Sequence, residues 1–200
     1  MLNLRSKVLA VSAVVAVAVG VAALVAHAAN ERTSAPSVPA GVANEHVPAP
    51  VAALDDPTIV AIFDAANTYD IETGVLAAKK GRAQAVREFG EMLARDHRHV
   101  RTLGRDLAAS LNVTPTPPKD FALAKSHAQA LRTLKAASGR QFDRAFLEHE
   151  VVFHSAVIDA VTTTLLPAIS NPQVRDLVTK VAPAFAAHRD KAQSMLDNLK

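Results

Sequence analysis

From residue 55 onward, apolar side chains recur at intervals of three and four residues along four long segments. These segments span about 56–78, 83–111, 141–166 and 172–199, and a shorter one of the same kind lies at about 120–138. Such spacing places the apolar side chains on one side of an α-helix. No stretch alternates with a period of two for long enough to form a strand. The pattern predicts an all-α domain, a four-helix bundle with an additional short helix between helices two and three.

Capping residues and prolines predict where these helices begin and end. Asp56 is the expected cap of helix one, and Pro57 at the first helical position favours a helix start. Asp120 is the expected cap of the short helix. Pro167 should end helix three, and Asn171, followed directly by a proline, should begin helix four.

The first 28 residues have the pattern of a secretory signal peptide. Arg5 and Lys7 precede an apolar run from Val8 to Val25, and Ala-His-Ala at 26–28 supplies small residues for cleavage. The run of about 18 residues is also close to the minimum length of a membrane span, so residues 8–25 could remain as an uncleaved anchor. Both interpretations predict a periplasmic or otherwise exported protein, and the uncleaved segment would anchor it in the inner membrane.

Residues 29–54 are rich in proline and alanine and have no helical period, which predicts a flexible linker. The chain therefore divides into three parts: a signal peptide or anchor over 1–28, a linker over 29–54 and a helical domain over 55–200.

Charge and cysteine content exclude two classes of protein. The formal net charge is +3, and without Arg5 and Lys7 it falls to +1 (3 − 2). The basic stretches at 79–82 and 95–105 contain no interleaved aromatic residues, so they are expected to be solvated helix faces and not a nucleic-acid surface. No cysteine is present, which excludes disulfides and lipid attachment through a cysteine.

Acidic and imidazole side chains interrupt the apolar faces of three predicted helices. Asp96 lies on the face of helix two, Glu150 and His154 on that of helix three, and His188 on that of helix four. A buried charge costs several kcal/mol unless it is paired or bound to a metal. These four residues should therefore converge in one polar centre inside the bundle.

Further ligands of this centre are expected at the edges of the apolar faces. His97 and His99 lie on opposite shoulders of helix two, and either could supply an imidazole. Glu72 is the carboxylate of helix one that lies at about the same height along the bundle as the candidates on the other helices, at the edge of the inner face. The candidate metal ligands are therefore Glu72, Asp96, His97, Glu150, His154 and His188.

Two interpretations of this centre remain open from the spacing. Facing carboxylates and imidazoles bind iron, manganese and related ions in helical bundles, and zinc also suits this donor set. Alternatively, Asp96 could pair with His188, and Glu150 with His154, in a metal-free hydrogen-bonded network. The chain has no Glu-x-x-His motif, which argues against a standard di-iron site.

Other polar residues receive simpler interpretations. His46, His127 and His149 lie off the apolar faces or in the linker and are expected to be exposed, whereas Tyr69 should face the core. The sequence has no glycine-rich phosphate loop, no Gly-x-Ser-x-Gly turn and no cysteine nucleophile. The pattern therefore favours a non-enzymatic protein, although an oxidase or peroxidase that uses a redox metal stays possible.

Four stretches of the domain carry a family resemblance. EFGEMLARDHRHVRTLGRDLA (88–108), DAANTYDIETGVLAAKKGRAQAVREFG (64–90), SGRQFDRAFLEHEVVFHSAVI (138–158) and APAFAAHRDKAQSM (182–195) resemble domain of unknown function 4142, a family of exported bacterial proteins. Asp96, His97, His154 and His188 carry the resemblance together, and Glu72 matches the family's glutamate on the first helix.

The resemblance implies a ferritin-like helical bundle and an exported location, without a defined reaction. The leading hypothesis is a metal-binding bundle with a role in storage, sensing or envelope stress. The alternative is a non-enzymatic interaction or structural module of the envelope with a metal-free polar core. A protein partner is left open, as is the oligomeric state, and membrane contact is expected only through an uncleaved N-terminal segment.

Overall fold

The computed structural model describes residues 54–199, and these residues contain five helices and no strand. The helices are α1 (Asp56–Lys80), α2 (Gln84–Ser110), α3 (Ala122–Ala136), α4 (Gly139–Ala168) and α5 (Pro172–Asp197). The predicted all-α domain and its short extra helix are therefore confirmed. The predicted signal peptide or anchor, and all of the predicted linker except Leu54, lie outside the described residues.

The long helices associate as two pairs. Helix α1 packs along α2, to which it is joined by a three-residue connection, and α4 packs along α5. The pairs meet where α2 contacts α5 and α1 contacts α4, while α3 lies against α1 and α4. The inner faces of the four long helices therefore enclose a common interior.

The glycines of α1 and α2 allow these two helices to approach closely. A β-carbon built on Gly90 would lie 2.6 Å from the carbonyl oxygen of Gly74 and 2.8 Å from the β-carbon of Ala77. Both contacts are far shorter than an ordinary van der Waals contact. Only glycine at these positions permits the observed separation of the two backbones.

The start of α1 corrects one capping prediction. Asp55, not Asp56, is the capping residue, because its backbone is extended and its carboxylate accepts a 2.9 Å hydrogen bond from the Thr58 N–H. Asp56 is already helical, and its carboxylate accepts bonds from the backbone N–H groups of Ser170 (3.0 Å) and Asn171 (2.9 Å). Asp56 therefore connects the start of α1 to the loop before α5.

The other helix ends follow the predictions in part. Asn171 caps α5 as expected, accepting from the N–H groups of the first turn. Asp120 does not cap α3, which begins at Ala122 after the extended residue Phe121. Helix α4 continues past Pro167 to Ala168 through a π-helical turn, Val161–Leu165. In the π turn the Leu166 N–H bonds to the carbonyl oxygen of Val161, five residues earlier. The proline that follows has no N–H to donate.

The start of α2 is capped from a distant helix. Asp143 of α4 is buried, and its two carboxylate oxygens accept hydrogen bonds from the Arg82 N–H (2.8 Å) and the Ala83 N–H (2.9 Å). A negative charge at a helix N-terminus is favourable, because the unpaired N–H groups there point towards it. This contact fixes the start of α2 against α4.

Helix α4 combines an apolar composition with a polar inner face. By length and composition alone, Gly139–Ala168 could cross a bilayer, a criterion that core helices of soluble proteins also meet. Its buried residues include Asp143, Glu150 and His154, which face the other helices. Apolar clusters lie on both sides of this polar level, one around Phe153 and Phe185 and the other around Phe89, Phe142 and Phe146.

Candidate metal centre

Five ionisable side chains from four helices meet between the two apolar clusters. They are Asp70 of α1, His97 of α2, Glu150 and His154 of α4, and His188 of α5, and none is more than 6% exposed. Each follows the apolar residues of its helix by three or four positions, so it shares their inward face. The sequence thus places all five at one level of the interior.

The ring of His97 is oriented by an amide. Its Nδ1 lies 2.9 Å from Asn67 Oδ1, and the Asn67 amide nitrogen in turn donates a 2.8 Å bond to the carbonyl oxygen of Phe63. That second bond identifies the oxygen of Asn67 as the atom facing His97. The proton of a neutral His97 therefore belongs on Nδ1, and Nε2 presents a lone pair to the centre.

The rings of His154 and His188 are oriented in the same way. His154 Nδ1 lies 3.0 Å from the carbonyl oxygen of Glu150, and His188 Nε2 lies 3.3 Å from Asp96 Oδ2. Both partners are acceptors, so in the neutral form of each ring the opposite nitrogen keeps its lone pair. His188 Nδ1 faces His97 Nε2 at 3.2 Å, and His154 Nε2 has no hydrogen-bond partner among the described residues.

The two buried carboxylates accept few hydrogen bonds. Within residues 54–199, neither oxygen of Asp70 accepts a hydrogen bond. Glu150 Oε1 accepts a 2.9 Å bond from the Thr73 hydroxyl, whereas Glu150 Oε2 has no partner in this part of the chain. Unpaired polar atoms in the interior are costly and rare in native structures. In the metal-free chain the two carboxylates therefore depend on the charge of His154, whose Nδ1 lies 3.4 Å from Glu150 Oε2 and whose Nε2 lies 4.0 Å from Asp70 Oδ1.

The distances between the donor atoms define two overlapping sets of possible metal ligands. Two groups, His97–His154–His188 and Asp70–Glu150–His154, each have ligand atoms within 4.8 Å of one another, and they share His154. Asp70 Oδ2 lies 3.5 Å from His97 Nε2, and Asp70 Oδ1 lies 4.0 Å from His154 Nε2. Two donors on one ion can be separated by at most about 4.2 Å, twice a typical metal–ligand distance.

Burial and mutual charge set the protonation states of the centre. Burial raises the pKa of Asp70 well above its usual value, and the nearby Glu150 charge raises it further. Burial disfavours a charged His154, but the Asp70 and Glu150 carboxylates outweigh this and raise the pKa of His154 to about 9.

The remaining groups of the centre shift in the opposite direction. Burial would raise the pKa of Glu150, but hydrogen bonding and charge from His154 lower it overall. Burial and then the positive charge of His154 lower the pKa of both His97 and His188. At neutral pH the metal-free centre therefore holds a Glu150–His154 ion pair and two neutral imidazoles, beside an Asp70 carboxyl group whose ionisation is disfavoured by burial.

A family comparison bears on this geometry. The model of a domain of unknown function, DUF4142, matches residues 41–195. The chain belongs to the DUF4142 family. Searches of curated proteins and of solved structures gave no match. All five residues of the centre lie inside the DUF4142 match, so the polar centre is part of the family domain.

The structure places the predicted DUF4142 site residues at different distances from the centre. His97, Glu150, His154 and His188 lie within it. Asp96 lies at its edge, 36% exposed, where it contacts both His188 and Arg95. Of the four residues predicted to converge inside the bundle, Glu150, His154 and His188 are buried there, whereas Asp96 contacts the centre from its edge.

Glu72 and His99 are not brought to the centre. The Glu72 side chain is 49% exposed and lies 2.8 Å from His127 Nε2, and His99 is exposed on the opposite face of α2 from the core. His97 is thus the helix-two imidazole that enters the site.

Asp70 and Asn67 of α1 were missed by the sequence analysis. Asp70 lies four residues after the buried Ala66 and three before the buried Thr73, so its position in the apolar repeat contains the signal. The error was to assign the inner face from apolar residues alone and then to seek a carboxylate at its edge.

The expected exposure of His127 and His149 is wrong. Both are buried, at 6% and 5% exposed, because α3 covers this side of α1 and α4. His127 stacks on Tyr69 with ring centroids 4.0 Å apart, so Tyr69 faces the protein interior as predicted. Burial lowers the pKa of His149. His46 lies outside the described residues.

Proposed function

We propose that this chain is an exported, ferritin-like four-helix bundle that binds one divalent transition-metal ion in its core. The ligands are Asp70, His97, His154 and His188, and Glu150 lies beside them. The observation that carries the proposal is the orientation of the three imidazoles. The outer nitrogen of each ring is held by an acceptor. The inner nitrogens of His97 and His154 lie 3.5 Å and 4.0 Å from the Asp70 carboxylate, and the inner nitrogen of His188 lies 3.2 Å from that of His97. Protein metal sites fix their histidine ligands by such outer hydrogen bonds.

Charge balance favours a single ion over a pair. With neutral histidines, the ionised Asp70 and Glu150 together carry two negative charges, which one divalent ion neutralises. Two divalent ions would leave two uncompensated positive charges in an interior where unpaired charge is strongly disfavoured. The proposal therefore differs from a carboxylate-bridged pair of metals.

The donor set restricts the identity of the metal. Three imidazole nitrogens with one or two carboxylate oxygens suit zinc, iron or manganese, whereas calcium and magnesium prefer oxygen ligands alone. The chain has no cysteine, so the thiolate ligands favoured by copper(I) and iron–sulfur clusters are not available. Storage, sensing and protection against envelope stress are the roles compatible with such a buried ion.

The export and bundle elements of the proposal have separate support. The basic residues, apolar run and small residues of positions 1–28 are those of an export signal. Two helix pairs with a shared interior, and metal-binding groups projecting inward from all four long helices, correspond to the general design of ferritin-like bundles.

Metal analysis of the full chain, purified without a histidine tag and reconstituted with zinc, iron(II) or manganese(II), tests the proposal. We expect about one equivalent of metal in the wild type and a large loss in Asp70→Asn. Glu72→Gln is the matched control, because it removes a carboxylate from the exposed side of the same helix. Circular dichroism checks that both variants keep their helices. Less than about a tenth of an equivalent in the wild type would refute metal binding.

A second candidate function, a metal-free structural or interaction module, is favoured by one observation. The raised pKa of His154, about 9, and the lowered pKa of Glu150 give an internal ion pair that needs no metal. In that case the polar centre fixes the register of the helices, as buried polar groups do in some bundles. Wild-type protein without bound metal, and a large fall in thermal stability in Glu150→Gln, would favour this candidate.

A further inference from the structure

An apolar cavity of about 60 Å³, partly open to the surface, lies next to the polar centre between α1, α3, α4 and α5. Its lining includes Ala66, Leu123, Val157, Val178 and Val181. The Phe185 ring forms part of the same lining, and its centroid lies 5.1 Å from that of His97 and 5.8 Å from that of His154. One aromatic ring therefore separates the cavity from two imidazoles of the centre.

The cavity coincides with irregularities in both helices of one pair. The π-helical turn Val161–Leu165 of α4 contributes three lining residues. On the facing helix, Pro183 lies inside α5, directly after the lining residue Ala182, and cannot donate a backbone N–H. A π turn is costly in a regular helix and occurs frequently at functional sites.

The cavity lining contains two polar side chains, and both are already engaged in hydrogen bonds. Asn67 donates to the carbonyl oxygen of Phe63 and accepts from His97. The Thr162 hydroxyl lies 2.9 Å from the carbonyl oxygen of Ile158, to which it donates. A buried water needs two to four polar partners, and apolar cavities without them stay dry and take apolar guests.

We infer that this cavity binds one small apolar molecule of about the size of dioxygen, adjacent to the imidazoles of the polar centre. The small volume excludes an aromatic ring or a lipid chain, and the apolar lining excludes an ion or a polar metabolite. Binding depends on the shape and lining of the cavity and needs no metal. The Phe185 ring would lie between such a molecule and an ion bound by His97 and His154.

Xenon, an apolar probe of suitable size, tests the cavity in the full chain. Saturable changes in the methyl NMR resonances of Val157, Val178 and Val181 are expected when xenon is added to the metal-free protein. Dioxygen under pressure should selectively increase the relaxation rates of the same methyl groups, because it is paramagnetic. Unchanged resonances in the wild type would overturn the inference.

Filling the cavity provides the matched comparison. Val178→Ile/Val181→Ile adds two methylene groups to its wall and should weaken xenon binding at least tenfold. Val174→Ile adds one methylene group to the same helix at a buried position outside the lining, and it should bind xenon as the wild type does. The two single variants give intermediate losses and replace the double variant if it does not fold. Equal xenon affinity in wild type and filled variants would refute the assignment.

This test is independent of the proposed metal site. If xenon binds and no metal does, the cavity assignment stands and the metal proposal fails. If metal binds and xenon does not, the reverse holds.

Discussion

The metal-free protein should lose stability as the pH rises from 6.5 to above 9, because His154 is buried between two carboxylates. Its pKa is about 9 in the folded chain, against 6.5 for an unperturbed histidine. Below pH 6.5 the imidazole is charged in both states, and its contacts with Glu150 and Asp70 contribute fully. Above pH 9 the proton is lost from the folded state as well, and that contribution disappears.

The pKa difference sets the size of this effect. A difference of about 2.5 pKa units (9 − 6.5) corresponds to about 3 kcal/mol at 1.36 kcal/mol per unit. For a domain of about 150 residues, 1 kcal/mol shifts Tm by about 2–4 °C, so Tm should fall by about 6–12 °C. The raised pKa of Asp70 also lowers stability as the pH rises, over the range between its unfolded value of 3.8 and its higher folded value. The lowered pKa values of His97, His149 and His188 act at pH values below 6.5 and leave this window unaffected.

Thermal unfolding followed by circular dichroism, in the presence of a chelator at pH 6.5 and 9.5, measures the loss. His154→Gln should abolish most of it, since the titrating group is gone. His99→Gln removes an exposed histidine and should keep the wild-type dependence. If the wild type shows no fall in Tm, or if His154→Gln keeps the whole fall, the ion pair described for the metal-free centre is wrong.

Two further predictions concern the helix contacts that hold the centre in place. Gly90→Ala should lower stability by about 1–3 kcal/mol, because its β-carbon would lie 2.6 Å from the Gly74 carbonyl oxygen, and a higher urea midpoint would contradict this close approach. Asp143→Asn should cost about 1 kcal/mol by removing one acceptor and a charge from the start of α2. Glu148→Gln, exposed on the same helix, is its control in thermal unfolding, and equal Tm values for the two variants would contradict the capping role.

The helices were predictable because their signal is local and repeated. Apolar residues at intervals of three and four specify an inner face wherever the partner helices lie, and the same repeat places Glu150, His154 and His188 on that face. Helix ends were less predictable. Asp55 and Asp56 are both suitable caps, and only the fold shows that Asp56 is used by the loop before α5.

The errors in the site came from contacts between helices, which a periodic pattern does not contain. Whether His127 is buried depends on where α3 lies against α1 and α4. The role of Glu72 depends on the same packing, since it pairs with His127. Asp70 is a different case, because its position in the repeat of α1 already indicates burial. It was overlooked because only apolar residues were assigned to the inner face.

The contact between Gly74 and Gly90 also sets the distance between the donor atoms that α1 and α2 carry. Gly74 is four residues from Asp70, and Gly90 is seven residues from His97, so each glycine shares a helix face with a proposed ligand. To restore an ordinary 3.4 Å contact, an alanine at position 90 would have to move the backbones apart by up to 0.8 Å (3.4 − 2.6). Functional sites tolerate displacements of only about 0.5 Å. A single methyl group, with no polar atom and no contact with the ion, would thus be enough to change the distance between the donor atoms of Asp70 and His97.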